Sequence, residues 1–376
     1  MADPRDYRFM ALALQLAGQG LYTTDPNPRV GCVLAKGDAV VATGFHCRAG
    51  APHAEVLALE AAGPEARGST AYVTLEPCCH VGRTPPCTNA LIEAGIVRVV
   101  AATRDPHLRV AGKGFTQLRR AGIAVEVGVM ADDALALNRG FFQRHMVGRP
   151  WVRCKMAMSL DGRTAMASGE SRWITAGAAR NDVQHWRARA SAIATGVKTV
   201  LWDDPRLNQR LEGVDRQPLR VIFDPHLATP PTARVVAGPG KVLIFAAPDA
   251  MARANPLTAA GAEVMAVPAT GPDQLDLAAA LGELGRREIN ELHLEGGATL
   301  AGAFVAADLV DEWLLYIAPI LLGSGARGAF ALPELTRLDQ AVGLHIADLR
   351  PVGGDWRLIA HRGPLATAQD LGLVDP

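Results

Sequence analysis

The distribution of metal-binding side chains constrains this chain more than any other feature. All six cysteines (Cys32, Cys47, Cys78, Cys79, Cys87 and Cys154) fall in the first 154 of 376 residues. Within that span His53-Ala54-Glu55 is followed by Pro77-Cys78-Cys79-His80 and then Cys87. A neutral nitrogen, thiolates and a carboxylate two residues from the histidine are the parts of a zinc site that activates water. A disulfide-stapled secreted fold would be smaller and would spread its cysteines through the chain. The sequence therefore reads as one metal-bearing domain followed by one without such a motif, a division that the length also favours.

The hydrophobic pattern gives the same two parts. Residues 5–18 form an amphipathic helix, and Pro26 and Pro28 exclude helix from the turn-rich segment after it. Runs 30–35 and 39–45, split by Lys36-Gly37-Asp38, predict a β-hairpin. His53 and Glu55 open a helix over 54–61, strand 70–75 delivers Glu76-Pro77-Cys78, and Cys87 opens another helix over 87–94. Strands 96–101 and 123–127 flank a helix near 115–120, and a helix over 132–146 closes the domain. This order predicts a three-layer α/β sandwich over 1–148, with Gly148-Arg149-Pro150 marking the boundary.

Residues 149–376 read as a second α/β domain with a mainly parallel sheet. The expected strands are 151–158, 192–195, 219–223, 241–246, 262–267, 291–295, 313–318 and 356–360, with helices at 176–189 and 275–284 and a loop at 199–205. Strand 291–295 runs into Gly296-Gly297-Ala298-Thr299-Leu300-Ala301-Gly302. A glycine-rich turn from strand to helix lets backbone N–H groups meet a pyrophosphate, although the spacing is not G-x-G-x-x-G.

Charge narrows the partners. The 38 Lys and Arg balance the 38 Asp and Glu with no long run of one sign, which argues against a dedicated nucleic-acid binder. No 18 apolar residues run together and the first helix lacks a signal-peptide core, so neither a membrane span nor export is expected and the cytoplasm is the default location.

A working zinc keeps three protein ligands and one open position. His53, Cys78, Cys79, His80 and Cys87 all qualify by residue type. The zinc-deaminase signature is H-x-E followed by P-C-x-x-C. The first half fits, but Val81 stands three residues past Cys78. Neighbouring cysteines converge poorly on one tetrahedral ion, which disfavours Cys79 and leaves His80 and Cys87. Glu55 is placed to carry a proton from water to a leaving amine.

His53-Ala54-Glu55-Val56, together with Leu75-Glu76-Pro77-Cys78-Cys79-His80-Val81-Gly82-Arg83-Thr84-Pro85-Pro86-Cys87, closely resembles the bifunctional deaminase/reductase family of riboflavin biosynthesis. So do Ser159-Leu160-Asp161-Gly162-Arg163-Thr164-Ala165, Ser168-Gly169-Glu170-Ser171-Arg172-Trp173-Ile174, Asp203-Asp204-Pro205 and the turn after Glu295. The likeness spans nearly the whole chain. It implies a cytidine-deaminase-like N-terminal domain and a dihydrofolate-reductase-like C-terminal domain. In that family the first hydrolyses the 2-amino group of a diaminopyrimidine ribosyl phosphate, and the second reduces the ribosyl group to ribityl with NADPH. The resemblance makes His53, Cys78 and Cys87 the Zn2+ ligands and Glu55 the proton shuttle, with Asn27 and His46 beside the deaminase pocket. It sets NADPH against Ala157, Trp173, Thr199, Asp203 and the turn Gly297, Ala298, Thr299, Leu300, Ala301, Gly302 and Ala303. It sets the second substrate against Ser171, Arg187, Leu207, Arg210 and Glu295, the two arginines on its phosphate. It further implies a homo-oligomer assembled through the reductase domain, with small-molecule substrates rather than nucleic acid.

Two other readings fit the sequence less well. A tRNA-type deaminase would use P-C-x-x-C and a basic groove, and would leave the second domain without a role. A zinc-stabilised binding protein would have no use for Glu55 beside an open position.

Overall fold

A computed structural model describes residues 3–80 and 85–375; Val81, Gly82, Arg83 and Thr84 of the cysteine motif lie outside the described residues. The chain divides into two compact units, Met1–Val147 with Ala366–Pro376, and Gly148–Leu365.

In the first unit, α1 (Pro4–Gly18) starts where the Asp3 carboxylate accepts the Arg5 N–H at 2.9 Å, with Pro4 at the first turn. The hairpin β1 (Gly31–Lys36) and β2 (Ala39–Phe45) follows, then α2 (Ala54–Ala62), β3 (Thr70–Val73), α3 (Cys87–Glu93), β4 (Arg98–Ala101), α4 (Lys113–Arg120) and β5 (Ala124–Val127). The strands lie in the order β2-β1-β3-β4-β5, with β1 antiparallel to both neighbours and the rest parallel. Ala54, Ala58, Leu91 and Leu118 of α2, α3 and α4 pack on one face with Cys32 and Val73, whereas Phe9, Met10 and Ala13 of α1 pack on the other with Val33 and Tyr72. The result is the expected three-layer sandwich.

Two glycines let the helices come this close. A Cβ on Gly31 would stand 2.0 Å from the Ala13 carbonyl oxygen, and one on Gly44 would stand 2.3 Å from that of Ala54. Gly44 thus seats the N-terminus of α2, which carries His53 and Glu55, against β2.

The helix expected over 132–146 is instead two, α5 (Ala131–Leu137) and α6 (Arg139–Val147), broken at Asn138. The Asn138 amide accepts the Arg29 N–H and donates to the Arg29 carbonyl, both at 2.8 Å. These bonds hold its backbone at φ −116°, ψ 22°, outside the helical well. The C-terminal residues, grouped by sequence with the second domain, also belong to the first unit. Ala368 and Leu373 join Leu75, Leu135 and Phe142 in one apolar cluster, the Ala368 N–H donates to Asp132 at 2.7 Å, and Asp375 pairs with Arg104 and Arg119.

The second unit opens with β6 (Trp151–Ser159), β7 (Arg163–Ala165), α7 (Gly177–Arg189), β8 (Ala192–Gly196) and α8 (Val197–Asp203). Next come β9 (Leu219–Phe223), α9 (Arg234–Ala237), β10 (Val242–Ala246), α10 (Asn255–Ala259), β11 (Glu263–Ala266) and the short β12 (Ala269–Gly271) and β13 (Gln274–Leu275). It ends with α11 (Leu277–Arg286), β14 (Glu291–Leu294), α12 (Ala298–Ala306), β15 (Glu312–Ala318), β16 (Arg327–Gly328), β17 (His345–Val352) and β18 (Asp355–His361). Nine strands run in the order β11-β10-β9-β8-β14-β6-β15-β18-β17; the first seven are parallel, and β18 and β17 are antiparallel additions. The loop expected at 199–205 is largely α8, and β17 was not foreseen. Leu281, Leu284, Ala301 and Phe304 of α11 and α12 cover one face of the sheet. Val200 of α8 and Val235 of α9 pack on the other with Ile193, Ile222 and Ile244. No helix among the described residues is long and apolar enough to cross a membrane.

Candidate active sites

In the first unit the sheet brings three segments to one point. His53 precedes α2 in an extended conformation and its side chain makes no capping bond, so the imidazole is available to a ligand. Cys87 is the first residue of α3, and Cys78 lies on the loop after β3. His53 Nδ1 is 3.2 Å from Cys87 Sγ and 3.5 Å from Cys78 Sγ, and the Cys87 N–H donates to Cys78 Sγ at 3.3 Å. One ligand atom from each of the three lies within 4.8 Å of the others. Zn–S and Zn–N bonds of ordinary length in a tetrahedron place their donors about 3.5–3.8 Å apart, so the set fits zinc with little movement. Among the described residues it is the only such cluster of His, Cys, Asp and Glu. Cys79 turns elsewhere, its Sγ 3.9 Å from the Arg109 carbonyl, and His80 stacks on His107 at 6.3 Å between ring centroids.

Glu55 is buried, 3% exposed. Burial, and then the charge on Cys78, push its carboxyl above the ordinary glutamate range, as suits a group that must both take and give a proton. The Cys78 thiol is drawn down to about 4, first by its hydrogen bond with Cys87 and then by His53, while that same bond and burial push Cys87 up. His46 stands edge-on to His53 at 5.5 Å between centroids. Its Nδ1 is 3.1 Å from the Pro52 carbonyl and its Nε2 is 3.0 Å from the Asn27 amide nitrogen. A donor at Nδ1 and an acceptor at Nε2 define a neutral ring, and burial lowers the His46 pKa in agreement. The structure thus gathers His53, Glu55, Cys78, Cys87, Asn27 and His46.

Sequence reasoning gave Glu76 no role beyond its place in the motif. Its carboxylate is buried and accepts the N–H groups of Asp105, Gly112, Gly114 and Phe115 at 3.1, 2.8, 2.9 and 3.3 Å. The loop from 105 to 115 is thereby pinned to the segment that bears Cys78. The signal was a glutamate directly after an apolar strand, where an unpaired charge is not tolerated.

In the second unit the helices around β14 and β8 diverge. The helix that follows β14, α12, lies on one face of the sheet, and the helix that follows β8, α8, lies on the other. Between the carboxyl ends of these adjacent parallel strands is the crevice where open α/β sheets bind nucleotides. Gly297 begins α12 with no side-chain cap, and a Cβ there would point toward Thr199 Oγ1 at 3.8 Å. The uncapped N–H groups of Ala298, Thr299 and Leu300 suit a pyrophosphate, so the turn fits a dinucleotide. Leu300, Ala301, Gly302 and Ala303 continue the helix; Ala301 and Gly302 are buried in it, and Gly302 packs against the Ala331 carbonyl. Asp203 ends α8 and accepts Arg172 at its carbonyl (2.8 Å) and carboxylate (3.3 Å). Trp173 is 70% exposed with the Arg180 guanidinium 4.6 Å over its ring, and Ser171 lies half-buried two residues before it.

On the α7 face, beside β14 and β6, the substrate candidates do meet. Arg187 of α7 grips Glu295 with two bonds, Nε to Oε1 at 2.5 Å and Nη2 to Oε2 at 2.8 Å, and its Nη1 reaches the Asn208 carbonyl at 3.1 Å. Burial alone would raise the Glu295 carboxyl, but Arg187 holds it well below the usual range. Leu207 is buried with φ +46°, and Arg210 donates to the Asn208 side chain at 2.9 Å. Lys155 of β6, not singled out from the sequence, is also here; burial lowers its pKa and Glu295 partly restores it. A single lysine in an otherwise apolar stretch of strand, Lys155-Met156-Ala157-Met158, was the available signal.

Comparisons with known proteins match both units of the chain. Residues 4–103 match the cytidine and deoxycytidylate deaminase zinc-binding region, and residues 150–358 match the RibD C-terminal domain. The riboflavin biosynthesis protein RibD of Escherichia coli K12 is 47% identical over 93% of this chain and 98% of its own length, and that of Haemophilus influenzae is 46% identical over 94% and 96%. A solved Acinetobacter baumannii RibD superimposes with a TM-score of 0.89 at 44% identity, covering 96% of this chain and 99% of its own. A deaminase/reductase from Thermotoga maritima does so at 0.84 and 32% identity, covering 96% and 99%. With a zinc-binding deaminase region in its first part and a reductase domain in its second, the chain belongs to the RibD family of riboflavin-biosynthesis deaminase/reductases.

Proposed function

We propose that the first unit deaminates 2,5-diamino-6-(5-phosphoribosylamino)pyrimidin-4(3H)-one and that the second reduces the resulting 5-amino-6-(5-phosphoribosylamino)uracil to its ribityl form. The observation that carries this reading is the buried Glu55 beside the converging His53, Cys78 and Cys87 donors, in a chain whose second unit holds Lys155, Arg187 and Glu295 next to a nucleotide crevice.

Zinc held by His53, Cys78 and Cys87 would supply a Lewis acid that makes water acidic near neutral pH. Glu55 takes the proton of the attacking water and returns it to the departing amine, which leaves as ammonia. Burial lowers the His46 pKa and Asn27 bonds its Nε2, so the pocket wall beside His53 presents an uncharged ring to the pyrimidine.

NADPH would supply a hydride to the sugar carbon bonded to the amine. The α12 N–H groups would hold its pyrophosphate, with Ala157, Trp173, Thr199 and Asp203 as its other binding residues. Arg187 and Arg210 take the substrate phosphate, with Ser171 and Leu207 shaping the pocket. Lys155, made more acidic by burial, gives the proton that the ring oxygen needs as it is released as a hydroxyl. The same reading makes the protein a cytoplasmic homo-oligomer that meets its own copy through the second unit, with functional domains that follow the two compact units.

Ammonia release and NADPH oxidation, measured separately from the diaminopyrimidine ribosyl phosphate, test the scheme. Ammonia should appear without NADPH, and NADPH should be oxidised only once deaminated product has formed. NADPH oxidation that precedes ammonia release would overturn the order.

A further inference from the structure

His293 lies on β14 with 0% exposure, and neither of its ring nitrogens makes a hydrogen bond. It stands opposite Arg153 of β6 on one side and Ile193 of β8 on the other. Side chains alternate along a strand, so His293 shares a face with Glu291 and Glu295, both of which are held by arginines of α7. Buried polar atoms are nearly always paired, so an orphaned imidazole in this layer points to a partner that it gains in another state of the site.

Glu295 is that partner by position. His293 Nε2 is 3.2 Å from Glu295 Oε1, within reach of a hydrogen bond but not aligned for one. The same oxygen already accepts Arg187 Nε at 2.5 Å, while Oε2 accepts Arg187 Nη2 at 2.8 Å. Burial lowers the His293 pKa; Glu295 opposes the shift, and the charges of Arg153 and Arg187 add to it. The ring is therefore neutral, and its one N–H belongs on Nε2, where a carboxylate can accept it, rather than on Nδ1, which has no acceptor.

We propose that His293 is a positioning residue for the reductase, a reserve donor that takes Glu295 Oε1 when the substrate phosphate draws Arg187 away. The inference rests on the reading that Arg187 meets that phosphate. A guanidinium that turns its fork from a carboxylate to a phosphate leaves Glu295 buried, charged and short of two hydrogen bonds. The imidazole beside Oε1 needs only to turn in place to restore one of them. Hydrogen bonds of this kind are often off-line in a ligand-free site and tighten in the complex. Lys155 cannot do the same throughout, because it gives up its proton in the reaction. A neutral donor also holds the oxygen without setting another cation beside Lys155.

The test compares the full-length parent with His293→Leu and His293→Gln on the deaminated substrate. Leucine fills similar space without a nitrogen, whereas the glutamine amide can place an N–H near the position of Nε2. His293→Leu should lower kcat/KM for that substrate about tenfold or more, the scale of one hydrogen bond to a charged group, and His293→Gln should recover most of the loss. The KM for NADPH and the rate of ammonia release should not change. Nitrogen NMR of the parent with isotopically labelled histidine should show a neutral ring at the resonance missing from His293→Gln, and that resonance should shift when substrate is added without NADPH. Parental kcat/KM in His293→Leu, equal loss in both variants, or a ring indifferent to substrate would make His293 a packing residue and sink the inference alone. Arg187→Lys, run alongside, checks the reading beneath it: no change there in kcat or in the substrate KM would take the phosphate from Arg187, and both would fall. Should His293→Leu fail to fold, His293→Gln and the parent resonance decide.

Discussion

Arg187 and Glu295 face each other as two parallel hydrogen bonds, 2.5 and 2.8 Å long, across the space between α7 and the end of β14. The guanidinium leaves Nη1 for the Asn208 carbonyl and so fixes the loop that also carries Leu207 and Arg210. In the proposed reductase site, a substrate phosphate would meet an arginine that is already oriented. Lysine has one point charge and no fork, so Arg187→Lys should lower reductase kcat/KM by ~10²-fold through lost orientation. Ammonia release should be unchanged. Equal loss of both activities would indicate global damage instead.

The proposed deaminase scheme separates proton transfer from metal binding. Glu55 is not one of the three clustered donors, so Glu55→Gln should keep one zinc per chain by elemental analysis. Ammonia release should fall by ~10³-fold or more, the usual scale for removing a general acid–base group. NADPH oxidation on the deaminated substrate should continue. A zinc-free Glu55→Gln protein would make Glu55 a ligand or a structural group.

The ligand choice among neighbouring sulfurs has its own test. Cys79 Sγ faces the Arg109 carbonyl rather than His53, so Cys79→Ser should retain stoichiometric zinc, whereas Cys87→Ser should lose it. Metal content by mass spectrometry after gel filtration distinguishes the two, and a metal-free Cys79→Ser protein would overturn the assignment.

The metal site was legible because its chemistry is local in sequence: His53 and Glu55 share one helical turn, and Cys78 and Cys87 are nine residues apart. What escaped was decided at a distance. The break at Asn138 depends on Arg29, more than a hundred residues away, and the pattern over 132–146 gives no sign of it. Strand β17 has no apolar alternation, since its bulge moves Ile346 and Leu349 onto one face. The segment ending Asp203-Asp204-Pro205 looks like a turn, yet α8 persists because Val200 is buried against Ile193 and Ile222. Nothing in the local sequence around Arg187 shows its partner, because Glu295 lies more than a hundred residues on, just after β14.

Glu76 joins stability to the deaminase. Its two oxygens accept four backbone N–H groups, and in Glu76→Gln one oxygen becomes an NH2 that faces donors. Hydrogen bonds to a charged group are worth about 1.5–3 kcal/mol each, and a buried donor left unpaired costs a similar amount, so a loss of roughly 3 kcal/mol is expected in the first unit. A lower first melting transition by calorimetry, with reduced ammonia release and intact NADPH oxidation, is the expected pattern. An unchanged melting profile would mean that the loop is held by other contacts.

Acid should expose the role of Asp6. This buried carboxylate accepts both Arg98 nitrogens at 2.8 Å and the Tyr72 hydroxyl at 3.0 Å. The bonds from Arg98 lower its pKa and outweigh the burial that opposes them. A carboxyl whose folded pKa is depressed adds stability at pH above its unfolded value, about 3.9 for aspartate, and that contribution disappears as pH falls through the lower folded value. Asp6→Asn removes the titration, so the melting temperature of the first unit should drop relative to the parent at pH 7. The gap should hold down to about pH 4 and close below it, where the parent carboxyl takes up its proton. A gap independent of pH between 7 and 2 would show that Asp6 acts through packing and neutral hydrogen bonds rather than through its charge beside Arg98.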